Sequence, residues 1–130
     1  MPIITSTDRE EILTVLADNQ HVIRLLDNWL EDAYFLEDHN GEKRVHAGLI
    51  LAQETNTKKY VPYHASAMYG VGSDTAVGIL DTEKFVTYDE VGIAPVAHAK
   101  VIQAHCYVFG GALGTISGTI KTHLKHIIWV

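Results

Sequence analysis

A single cysteine, Cys106, stands among 130 residues, so no intrachain disulfide can form and no zinc site can be built on paired cysteines. It lies in an apolar run, which predicts a buried, unreactive thiol. Proline is scarce, and residues 7–36 contain neither proline nor glycine, which leaves that stretch without a strong breaker. No apolar run approaches the ~20 residues that cross a bilayer. The start, Met1-Pro2-Ile3-Ile4-Thr5, lacks the basic and apolar regions of a signal peptide, and the expectation is synthesis in the cytoplasm. Cations are in deficit: ten Lys and Arg oppose sixteen Asp and Glu, a net charge of −6. A phosphate backbone repels such a body, which argues against nucleic acid as a direct ligand.

What is present is a chain for one domain. A hydrophobic content of 47% is too high for disorder. At this length roughly two thirds of the unfolded surface can be buried, enough for a core without staples. The chain changes character near Gly41, giving an arm and helical segment over 1–40 and a β-rich unit over 41–130. In the first part Ile12, Val15, Val22, Leu26, Trp29, Ala33 and Leu36 recur at a three/four spacing, the stripe of a helix. Thr7 with Glu10 makes a capping-box pattern. The spacing predicts a helix over 7–17, a break at Asp18-Asn19, and a second helical stretch to about Leu30.

Beyond it, Asn40-Gly41 is a two-residue hairpin signal, expected to join a strand near 34–37 to one through 44–52. Short apolar runs then alternate with Gly, Pro and Asp turns, as in a small barrel or sandwich. The longest, 95–109, is apolar on both faces, like a central strand covered on both sides. Residues 110–118 read as a glycine-rich loop and 119–125 as a short helix with Ile120 and Leu124 on one face. The apolar tail Ile127-Ile128-Trp129-Val130 is expected to pair into a sheet or a subunit contact. The fold class is mainly β: a small barrel- or sandwich-like body with an N-terminal helical extension and a short C-terminal helix.

No reactive constellation emerges. The eight histidines form no HExxH or Cys/His finger pattern, and His123 with His126 alone is too few for a metal. Ser66, Ser73 and Ser117 lack a nucleophile elbow. Gly70-Val71-Gly72-Ser73 lacks the Lys-Ser/Thr of a phosphate loop. The carboxylate pairs lie at turn or helix edges. The expectation is a protein that is no enzyme, with no catalytic residue, no metal and no cofactor. A small β-barrel ligand- or protein-binding module, with Tyr60, Tyr63, Tyr69 and His64 at a ligand mouth, is the alternative from a different class.

The order of segments resembles the lambda-type head decoration, or capsid cement, proteins of bacteriophages. Ala47-Gly48-Leu49-Ile50-Leu51 resembles the family's small-Gly-x-x-Leu strand. Tyr60-Val61-Pro62-Tyr63 resembles its aromatic-Pro strand, and Gly70-Val71-Gly72-Ser73 its glycine turn. Ala76-Val77-Gly78-Ile79-Leu80 matches best; Val96-Ala97-His98-Ala99-Lys100-Val101 and the close at Leu124 and Ile127–Val130 follow in order. His126 departs from the family, standing where it often has glycine. So does the helical reading of 7–36, where the family has a flexible arm. The resemblance implies a homotrimer on the capsid exterior at three-fold sites. Its partner would be the major capsid protein, and it would stabilise the expanded shell against packed DNA. It implies neither membrane nor nucleic acid as partner. Another phage head or tail accessory protein is a neighbouring reading. Pro2, Ile3, Ile4, Thr5 and Ser6, with their extended tendencies, form the expected capsid-docking arm, adding a strand to an exposed edge of the shell.

Overall fold

The computed structural model describes residues 15–17 and 22–130. The docking arm Pro2, Ile3, Ile4, Thr5 and Ser6, the Thr7 capping box and most of the expected first helix lie outside the described residues.

The protein is mainly β, as expected. In chain order the strands are β1 (Ile23–Arg24), β2 (Asn28–Leu30), β3 (Arg44–Val45), β4 (Ile50–Gln53), β5 (Tyr60–Pro62), β6 (Ala76–Ile79), β7 (Lys84–Phe85), β8 (Val91–Ile93), β9 (Val96–Val101) and β10 (Ile127–Trp129). One helix, α1 (Gly118–His123), precedes β10. The main sheet runs β1-β9-β6-β4-β5-β2-β8, with β10 parallel to β9; β3 and β7 pair separately.

The connections force this sheet to curl. In a flat sheet β1 and β2 would stand five strand spacings apart, about 24 Å. Four peptide links from Arg24 to Asn28 reach at most about 14 Å. The link from Ile93 in β8 to Val96 in β9 is shorter still, at most about 11 Å, across five spacings as well. Both ends of the sheet are therefore drawn together into a half-barrel. The seam is stitched by Leu25 N–H to the Pro95 carbonyl at 2.8 Å and Arg24 Nη1 to the Ala94 carbonyl at 3.2 Å.

The middle strands are covered on both faces. Ile50 and Ala52 face one core with Val61, Ile79, Ile120, Leu124 and Ile127. Leu51 and Tyr60 face a second with Leu30, Phe35, Val86 and Ile93. That explains the unbroken apolar run 49–52, which has no strand alternation. Cys106 is fully buried in the first core, and burial pushes its thiol up to about 12.

The expectation of a second helical stretch to about Leu30 is corrected. Its described residues, 22–30, hold no helix; Ile23–Arg24 and Asn28–Leu30 are β1 and β2. Ala17 also donates its N–H to the Lys100 carbonyl, and Leu16 bridges Val101, so the end of the expected first helix is extended chain. Asp27-Asn28 makes the corner between the strands, while β9 and β8 supply the hydrogen bonds a helix would have made internally. Tertiary pairing overrides a three/four spacing that is only a local preference.

The Asn40-Gly41 turn forms, with Gly41 at φ 79° and Asp38 N–H on the Glu42 carbonyl. The strand expected near 34–37 is not formed, and the one expected through 44–52 is two strands, β3 and β4; Arg44–Val45 pairs with Lys84–Phe85. The expected 95–109 strand stops at Val101 and turns through a 3-10 segment, Gln103–His105. The short C-terminal helix forms as read, capped by Ser117 Oγ accepting from Ile120 N–H at 3.3 Å.

Candidate interaction surface

Two outward faces flank the seam. On the first, β9 and β10 set alternate side chains in and out. Ala99, Val101 and Ile127 are buried; His98, Lys100 and Ile128 point outward. Ile128 lies opposite Lys100, and Ile23 lies opposite His98. The His126 ring stacks on His98 with centroids 5.9 Å apart. Ile23 is 58% and Ile128 54% exposed, so two aliphatic side chains stand in solvent beside cationic and imidazole groups. Both terminal segments converge at the end of β9. Ile102 donates to the Val15 carbonyl, while Gln103 donates to that of Val130. Successive N–H groups of a strand point to opposite edges, so the two termini flank β9 on either side.

The second face is centred on Leu26 and Trp29. Leu26 is 89% and Trp29 50% exposed. Neither is loosely held. Tyr60 Oη donates to the Leu26 carbonyl at 2.7 Å, and Asn28 Nδ2 donates to the Lys58 carbonyl at 2.8 Å. Trp29 N–H is taken by Asn28 Oδ1 at 2.7 Å. Trp29 lies opposite Gly92, where an added Cβ would touch nothing within 4 Å. Asp27, Asn28, Trp29 and Gly92 line an open hollow of about 360 Å³. Beside it Glu31, Asp32 and Glu90 gather within 4.8 Å. Lys59 Nζ already fills the role of a cation there, 2.8 Å from Glu90 and 3.5 Å from Glu31. Its bond to Glu90 chiefly holds the lysine above its ordinary value.

The structure separates most of the residues singled out in the sequence. Tyr60 and Tyr63 are buried in different cores, so they do not share a mouth. His64 and Tyr69 join an aromatic group with Tyr34 and Phe109. His123 turns inward, its Nδ1 accepting Ala76 N–H at 3.1 Å, while His126 turns out to His98. Ser66 Oγ lies 2.9 Å from His64 Nδ1, but that nitrogen also accepts the Ser66 N–H. The pair therefore closes a tight turn, with the ring nitrogen shared between two donors. Ser73 is buried and closes the glycine turn, its Oγ donating to the Gly70 carbonyl at 2.8 Å.

All sixteen Asp and Glu fall within residues 1–90, beside seven of the ten Lys and Arg. Residues 91–130 hold Lys100, Lys121 and Lys125 and no carboxylate side chain. The fold spreads that segment over β8, which lies beside Trp29, and over β9, α1 and β10.

No protein-family model matches the chain, and neither a curated protein nor a solved structure is similar to it.

Proposed function

We propose that this protein is a structural component of a phage virion that binds the outside of the expanded capsid as a trimer at three-fold sites. There it stabilises the shell against internal DNA pressure. The observation that carries the reading is the set of exposed apolar side chains, Ile23, Leu26, Trp29 and Ile128, mounted on hydrogen-bonded backbone. Large apolar groups fixed in solvent mark surfaces that another macromolecule covers. The ordered series of motifs from Ala47 to Val130 supports the choice of partner, the major capsid protein.

The mechanism needs no chemistry. A ligand that binds only the expanded lattice stabilises that state by mass action. Linking three such contacts in one body raises the effective affinity. The Pro2, Ile3, Ile4, Thr5 and Ser6 arm would add a strand to a shell edge. The first described residue, Val15, lies beside the end of β9, its carbonyl accepting the Ile102 N–H.

The test is to mix purified protein with expanded and unexpanded shells. Co-sedimentation with expanded shells alone, with new density at outer three-fold positions by electron cryomicroscopy, is the expected outcome. Binding to neither shell overturns the reading. Deleting residues 2–6 should abolish binding while thermal unfolding stays unchanged; undiminished binding removes the arm from the proposal.

A further inference from the structure

We propose that Asn40 is a site of spontaneous deamidation and that the turn built on Asp38 sets its rate, whatever the protein binds.

Among the four asparagines, Asn40 alone precedes a glycine. The reaction needs the next residue's backbone nitrogen to reach the asparagine Cγ, and a Cβ on that residue hinders the approach. Gly41 has none, and a Cβ built there would meet only Glu37 Oε2, at 3.9 Å. Residues 36–42 are all exposed, so water reaches the amide. The other described asparagines are placed differently. Asn28 precedes Trp29, and its amide is engaged at both ends. Its Nδ2 donates to the Lys58 carbonyl, and its Oδ1 accepts Trp29 N–H, whose nitrogen would have to attack. Asn56 precedes the β-branched Thr57.

The step balances with water as its one co-reactant. Gly41 N bonds to Asn40 Cγ, the Cγ–Nδ2 bond breaks, and ammonia leaves with the proton from Gly41 N. Water then opens the cyclic imide. Attack at Cγ gives aspartate; attack at the main-chain carbonyl carbon gives isoaspartate, whose backbone runs through Cγ and is one carbon longer.

The turn holds this step in check. Gly41 N–H donates to the Asp38 carbonyl at 3.0 Å, so the attacking nitrogen has its proton engaged. Asp38 Oδ1 accepts Asn40 N–H at 2.8 Å and Glu42 N–H at 3.1 Å, and Asp38 N–H donates to the Glu42 carbonyl at 2.8 Å. Attack therefore proceeds from the opened turn, at a rate proportional to its population. Removing the Asp38 carboxylate takes away two of these bonds and raises that population. Either product adds a carboxylate beside Glu37, Asp38 and Glu42, and isoaspartate also moves Glu42 out of register with Asp38.

The experiment incubates the full chain in mildly alkaline buffer, maps it by peptide mass spectrometry and counts isoaspartate by enzymatic methylation. Asn40 should convert ahead of Asn28 and Asn56. Conversion should be several-fold faster in urea, and several-fold faster in folded Asp38→Ala, than in the native wild type. Asn40→Gln should lose the acidic product and keep the wild-type near-ultraviolet circular dichroism. Should Asp38→Ala fail to fold, the native and urea arms of the wild type still decide whether the turn guards the site. A native chain that stays intact at Asn40, or that converts first at another asparagine, overturns the site. Equal rates in buffer and urea, or in wild type and folded Asp38→Ala, overturn the guard.

Discussion

Gly48 and Gly78 sit where a side chain has no room. Gly48 has φ 99°, and a Cβ there would enter the His105 carbonyl. Its own N–H and carbonyl are tied to Leu80 and Tyr107. Gly78 has ordinary φ, but a Cβ would lie 2.9 Å from that of Pro95, just before the neighbouring strand β9. Gly48→Ala should therefore cost about 3 kcal/mol, combining left-handed strain with displacement of packed backbone. Urea unfolding measures it, and a loss under about 1 kcal/mol would contradict the account. Asp38 makes a second prediction. Its carboxylate accepts the Glu42 and Asn40 N–H groups, which lower it below the ordinary aspartate range. Its folded value lies below its unfolded one, so its support for the turn is fully present above the unfolded value of about 3.9. That support fades as pH falls through the lower folded value. The Asn40 and Glu42 amide resonances should titrate together below pH 3.9, and Asp38→Asn should abolish the titration. Cys106, with its thiol pushed up to about 12 by burial, should resist thiol reagents until the protein unfolds.

Strand β10 shows what an element gains by joining the sheet. The four-residue apolar tail that contains it reads as a liability in solvent, and pairing to β9 buries Ile127 while leaving Ile128 outside. Adjacent isoleucines should then behave differently. Ile127→Ala should lower stability by about 3 kcal/mol through lost packing. Ile128→Ala should change the chain's stability by less than about 0.5 kcal/mol. The same distinction explains the misread 22–30 segment. Leu26, Trp29 and Leu36 do recur at helical spacing, yet all three are exposed. Spacing reports where apolar residues fall along the chain. It does not report which neighbour, if any, covers them.

At the scale of the molecule, curling of the sheet brings β1 and β9 beside β2 and β8 at one seam. Shells saturated with the protein should withstand higher temperature than bare expanded shells, since binding to one state stabilises it.

Much of the domain was legible in its amino acids. Short apolar runs between glycine turns predicted β4, β5, β6 and β9, and Ile120 with Leu124 marked α1, because these depend on local backbone preference and side-chain burial. The sequence alone determined a β-rich body with a buried thiol. Tertiary structure decided that Ile23–Arg24 and Asn28–Leu30 are strands, that β9 ends at Val101, and that Leu26, Trp29 and Ile128 face solvent. Those outcomes rest on pairing between segments far apart in the chain. Two short links across five strand spacings close the sheet, and no local pattern records which strands must meet.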